Sequence, residues 1–183
     1  RLLVFGGSQG ASALAALAPA AAALLPEGMR ARLEVTQQAR EGEVSAVLGA
    51  WRRIGVAAEV APFFEDLPAR MAAAHLVTCR AGASTVAELT AMGRPSVLIP
   101  YPSAMDDHQT ANARPLAEAG AAILAPEAGL TPEALSAHLA AVLGDPVRAA
   151  AMAGAARALG RPEAAARLAD LVEAVADGRP IPP

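Results

Sequence analysis

The chain has no lysine, a single cysteine and few aromatic residues, and the first two scarcities each close off a class of function. Without lysine there is no Walker-type phosphate loop, which must end in Lys-Ser or Lys-Thr. Cys79 cannot form an internal disulfide, and no Cys/His group has zinc-ligand spacing, so a reducing compartment is the simplest inference and no metal is expected. Cys79 closes an apolar run and reads as an inert core thiol. The formal net charge is -3 and the arginines are scattered, so no basic stripe exists to neutralise a nucleic acid backbone. No apolar run reaches the roughly 18 residues that a membrane-crossing helix needs. The abundant alanine and the use of arginine for every basic position reflect compositional bias and carry no function.

What is present is ample for a core: 183 residues, 54% of them hydrophobic, enough for one full domain or slightly more. Strand-like runs at 2–5, 33–36, 56–61, 76–79, 96–99 and 121–124 alternate with helical stretches at 11–25, 43–54, 66–73, 85–92 and 108–119. That alternation predicts an α/β fold, a doubly wound, six-stranded parallel sheet of Rossmann-like type whose ligand lies beyond the strand C-termini. Beyond Pro126 the pattern becomes helical only, at 131–143, 146–159 and 162–176, with Thr131-Pro132 and Glu133 as a start signal. The expected organisation is a core at residues 1–126, C-terminal helices of the same domain at 127–176, and a tail at 177–183.

Two turns carry the chemistry. The run Leu2-Leu3-Val4-Phe5 leads into Gly6-Gly7-Ser8-Gln9-Gly10-Ala11 and then a helix. The spacing is not the G-x-G-x-x-G dinucleotide fingerprint, and no acidic residue closes a ribose pocket about 20 residues on. What remains is a loop with exposed amides and the Ser8 hydroxyl, suited to an anion or to a close helix–strand contact. The second turn is Ala81-Gly82-Ala83 after the strand ending at Cys79. There glycine allows close backbone approach, and the first amides of the next helix have no partner within it. Thr85 and Glu88 are three apart, the spacing of a capping box, yet a carboxylate one turn into such a helix also suits a vicinal diol such as a ribose. The two roles compete for the same oxygens.

Other polar residues have plainer readings. Asp106-Asp107 caps the helix that starts at His108 rather than holding a metal. His75 and His138 are structural or solvated. Asn112 and Arg114 either line the cleft or serve packing and solvation, and Arg80 either reaches phosphate or braces its loop.

Taken together, GGSQGA at 6–11, Pro62-Phe63 after the third strand, CRAGASTVAE at 79–88 and DDHQTANA at 106–113 closely resemble the C-terminal half of the MurG family. These are bacterial transferases that move N-acetylglucosamine from UDP-N-acetylglucosamine to lipid I, making lipid II for peptidoglycan. The resemblance covers essentially the whole chain. It implies the C-terminal, donor-binding half of a GT-B fold, with Ser8 touching the donor near its diphosphate and Phe64 meeting uracil through its backbone. It places Ala83, Ser84, Thr85, Val86, Ala87 and Glu88 around the diphosphate and sugar, with Glu88 on the ribose. Gln109 then bonds sugar hydroxyls, and His108 precedes it where relatives often have glutamine. Phe64 replaces an aliphatic residue, a departure in side-chain packing.

The resemblance also implies inverting displacement by the 4-hydroxyl of the lipid I muramyl sugar, with no cofactor and a diphosphate held largely by helix amides. The chain begins at Arg1 on a strand, without methionine or signal pattern, and is expected to be a piece of a longer protein. The catalytic base, the acceptor site and the contact with the cytoplasmic face of the inner membrane are expected in the preceding half. This half alone is expected to be soluble and to bind donor without turnover. Two alternatives stand beside this reading: a UDP-N-acetylglucosamine 2-epimerase-like GT-B protein, and a non-catalytic nucleotide-sugar sensor.

Overall fold

The computed structural model describes residues 1–7 and 12–180. Six strands, β1 (Leu2–Phe5), β2 (Glu34–Gln38), β3 (Ala57–Ala61), β4 (Leu76–Cys79), β5 (Ser96–Leu98) and β6 (Ala122–Leu124), form one sheet. Every pairing is parallel and the order is β3-β2-β1-β4-β5-β6. The helices are α1 (Ser12–Ala23), α2 (Glu27–Arg30), α3 (Val44–Arg53), α4 (Leu67–Ala73), α5 (Ala83–Met92), α6 (His108–Glu118), α7 (Pro132–Leu143), α8 (Pro146–Leu159) and α9 (Ala164–Ala176). Short 3-10 turns at Glu41–Glu43 and Met105–Asp107 precede α3 and α6.

The central strands β1 and β4 are buried along their whole length and apolar except for Thr78, because both of their faces are covered. Successive side chains alternate between faces, so Leu2 and Val4 pack under α1, α3 and α7 with Leu14, Trp51, Leu135 and Leu139. Leu3, Phe5, Val77 and Cys79 face the opposite way, toward Met71, Leu89, Ala113, Leu116 and Ala156 of α4, α5, α6 and α8. Alanine along α1 lets it lie close to α7, and α8 packs on α5. Thr131 caps α7 as the sequence indicates, its hydroxyl accepting from the Ala134 amide at 3.2 Å.

The strand pattern at 33–36 underestimates β2, which continues through Gln37 and Gln38. Both amides are satisfied by tertiary partners that no local pattern reveals. Buried Gln37 donates to the Leu14 carbonyl at 3.1 Å and accepts from the Trp51 indole at 2.7 Å, tying β2 to α1 and α3. A bond of this kind contributes about 1 kcal/mol, and losing one partner in the interior costs more. The single turn α2 follows Pro26, between the helix and the strand that the sequence predicts. Among the described residues, no single helix is long and apolar enough to cross a membrane.

Order reversal in this sheet occurs between β1 and β4, which are neighbours with Phe5 opposite Cys79. Their C-terminal ends therefore lie side by side, and so do the turns that leave them. A crevice at that point is where open α/β sheets bind ligands.

Candidate functional site

A cleft of about 490 Å³ opens at this switch point. It is lined by Gly6 and Gly7 after β1, Arg40 after β2, Arg80 and Gly82 through Thr85 around the start of α5, and Tyr101 and Gln109 from the β5–α6 connection. The two glycine-bearing turns thus share one cavity. Ser8 lies outside the described residues.

The backbone geometry at the two turns differs. Gly7 has φ +82°, a conformation that L side chains rarely adopt, so glycine is required by the chain itself. Gly82 has φ −63° and ψ 149°, open to any residue, and among the described residues a Cβ built there meets only the Thr85 hydroxyl, at 3.8 Å. Among the described residues nothing demands glycine at 82. What a side chain at that position would occupy is cleft space.

Gly82 is the N-cap of α5 and supplies no side-chain cap. The first helical bond runs from the Val86 amide to the Gly82 carbonyl at 3.0 Å, which leaves the Ala83, Ser84 and Thr85 amides without intrahelical partners. All three residues line the cleft. Their N–H groups and the helix dipole together make an anion seat. The sequence places this helix start at Thr85; it begins two residues earlier, so Thr85 is in the first turn and the Thr85–Glu88 capping box does not form.

Helix α6 holds the turn in place. The Gln109 side-chain oxygen accepts from the Ala81 amide at 3.2 Å and from the Tyr101 amide at 3.0 Å, while the Asn112 side-chain amide donates to the Ala81 carbonyl at 3.0 Å. Both ends of one residue are clasped. With its oxygen committed, Gln109 presents its NH₂ group as the chemistry left for a ligand.

Arg80 is the brace of the two sequence readings. It is 7% exposed, and one guanidinium nitrogen donates to the Ile99 and Pro100 carbonyls at 3.1 and 3.0 Å. Another meets the Glu127 carboxylate at 2.5 Å, and the group lies 5.4 Å from the Tyr101 ring centroid. It pins the ends of β4, β5 and β6 together.

The remaining sequence candidates lie around this cleft. Val86 is half-buried, and Ala87 and Glu88 are exposed; these three do not line the cavity. Glu88 is close enough to Cys79 to help raise its thiol pKa, although burial is the larger cause. His108 is also off the lining; its Nδ1 bonds the Met105 carbonyl at 2.8 Å and closes the turn before α6. The Phe64 side chain is buried away from the cleft, with the Arg70 guanidinium 4.3 Å from its ring centroid, whereas Phe63 beside it is 71% exposed. Asp107 holds the N-cap position of α6 but accepts from the Thr110 hydroxyl at 2.6 Å rather than from a main-chain amide. Among the described residues no group of His, Cys, Asp and Glu is arranged to hold a metal.

Gln38, Arg40 and Tyr101 escape the sequence reading. Gln38 accepts from the Gly6 amide at 3.2 Å and donates to the Pro62 carbonyl at 3.1 Å, linking the first glycine turn to the loop after β3. The available signal is the polar run Gln37-Gln38-Ala39-Arg40 at the C-terminal end of a strand, the end from which such sheets contact ligands.

Residues 1–169 match the family described as the glycosyltransferase family 28 C-terminal domain. A relative from Brucella canis, named UDP-N-acetylglucosamine--N-acetylmuramyl-(pentapeptide) pyrophosphoryl-undecaprenol N-acetylglucosamine transferase, is 51% identical over 181 residues, 99% of this chain and 48% of its own length. A Rhodospirillum rubrum protein of the same name is 54% identical over 179 residues, 98% of this chain and 46% of its own. The chain thus spans about half the length of these curated relatives. The crystal structure of Acinetobacter baumannii MurG superposes with a TM-score of 0.86 at 34% identity, covering 94% of this chain and 51% of that one.

Proposed function

Because the chain belongs to the glycosyltransferase family 28 C-terminal domain family, we propose that it is the donor-binding half of an inverting N-acetylglucosaminyltransferase of the MurG type. The donor is UDP-N-acetylglucosamine, the sugar nucleotide in the relatives' names. One observation carries the reading: the turns after β1 and β4 converge on a single cleft, with the Ala83, Ser84 and Thr85 amides at its edge.

The physical role is leaving-group stabilisation. As the 4-hydroxyl of the lipid I sugar displaces UDP at the anomeric carbon, negative charge grows on the departing diphosphate. Fixed amides at the α5 N-terminus meet that charge without reorganising, which is the usual source of large transition-state effects. Gln109 orients the sugar through its free NH₂. Glu88 takes the ribose diol after a side-chain rotation toward the cleft rim, and the Phe64 backbone receives uracil. The general base, the lipid I surface and the contact with the cytoplasmic face of the inner membrane belong to a half of the protein not contained in these residues. The core at residues 1–126 and the helices at 127–176 act as one donor-binding unit. An epimerase-like reading needs acid–base side chains at the sugar, and among the described residues the cleft lining contains no His, Asp or Glu.

Calorimetric titration with UDP, UDP-N-acetylglucosamine, UDP-glucose and NADH tests the proposal. Binding of the uridine nucleotides with preference for the N-acetylglucosamine donor supports it. Binding of NADH in preference to UDP, or of no nucleotide by the folded chain, overturns it.

A further inference from the structure

We propose that Arg40 is a contact for the anionic part of the ligand and supplies the full positive charge that the glycine turns lack. The inference rests on the nucleotide-diphosphate reading of the cleft and assigns to that site a residue outside the motifs that identify it.

Two cationic side chains appear in the described cleft lining, Arg40 and Arg80. Arg80 is spent on the fold: two carbonyls occupy one of its nitrogens, Glu127 matches its charge, and the side chain is almost entirely covered. Arg40 is exposed at the opposite wall, two residues past Gln38. Gln38 in turn holds the Gly6 amide, which fixes the root of Arg40 beside the first glycine turn. A guanidinium carries five donors in a fork, so Arg40 can contact protein and phosphate together.

The charge balance favours a cation here. A nucleoside diphosphate brings more than two negative charges, while a helix N-terminus offers the equivalent of about half a positive charge. Because charge on the leaving diphosphate increases during transfer, a cation at this wall stabilises the transition state more than the ground state.

The test compares the wild-type chain with Arg40→Gln and Arg40→Lys in NMR amide-shift titrations, which read millimolar constants, using UDP and uridine as probes. Melting curves establish that each variant is folded. The expected result is UDP binding weakened about 10- to 100-fold in Arg40→Gln, the effect of one charge-assisted contact. Uridine binding stays within about twofold of wild type, and Arg40→Lys recovers part of the loss. Added salt should weaken UDP binding by the wild type more than by Arg40→Gln. Unchanged UDP affinity in Arg40→Gln, or an equal loss for UDP and uridine, overturns the role of Arg40. Failure of the folded wild-type chain to bind either probe overturns the nucleotide reading itself, a distinguishable outcome.

Discussion

Gly82→Ala separates what the fold needs from what a ligand needs. The backbone at 82 is in an ordinary extended conformation and, among the described residues, a methyl group there meets only the Thr85 hydroxyl, at 3.8 Å. Two small terms bear on stability. Alanine is a poorer N-cap than glycine, by up to about 1 kcal/mol, and it restricts the unfolded chain, which returns about 0.4–1 kcal/mol. The net change should be under about 1 kcal/mol, a shift of roughly 2–4 °C or less in melting temperature for a chain of this size. The ligand experiences something different. A phosphate oxygen bonding the Ala83–Thr85 amides at about 2.8 Å must pass over position 82, where the methyl group intrudes. Losing one such charge-assisted bond weakens binding by about 1.5–3 kcal/mol, roughly 10- to 150-fold. Differential scanning calorimetry and UDP titration read the two effects separately. UDP affinity within twofold of wild type would refute the claim that the diphosphate sits on this turn, and a melting temperature lowered by 10 °C would refute the local geometry.

Glu88→Ala should leave the melting temperature unchanged within error, since the capping box is not formed, and should weaken UDP-N-acetylglucosamine binding; calorimetry checks both, and a stability loss with intact affinity contradicts the ribose role. Glu127→Gln removes the carboxylate partner of Arg80, whose side chain is 9% exposed against 28% for Glu127, so urea unfolding should show a loss of about 1–3 kcal/mol, reduced by the partial exposure of the pair. Burial, with Glu88 nearby, raises the Cys79 thiol above its ordinary pKa, so native protein at pH 8 should resist thiol reagents and react only on unfolding; fast native labelling would show that β4 is not covered as described.

The strands, the parallel order and the meeting of two turns at the switch point are legible in the sequence because the signals are local and repeated. Continuous apolar runs at 2–5 and 76–79 announce strands covered on both faces, and small-residue turns follow each. Long-range polar satisfaction is not legible. Gln37 and Gln38 look like the end of a strand until Trp51, Leu14, Gly6 and Pro62 are seen to answer them. Arg80 illustrates a similar limit, since nothing near it in sequence reveals that Glu127 will neutralise it. The start of α5 is misplaced because Thr85-Val86-Ala87-Glu88 carries a local capping signal, whereas the chain turns at Gly82 and leaves three amides without intrahelical partners.

In the proposed function the diphosphate rests between the turns after β1 and β4. Amide-resolved NMR of the chain titrated with UDP tests it most directly. Saturable shifts should concentrate at Gly6, Gly7 and Gly82 through Thr85, with Gln109 side-chain signals moving in step. Saturable shifts confined to another face, such as the groove between α1 and α3, would contradict it.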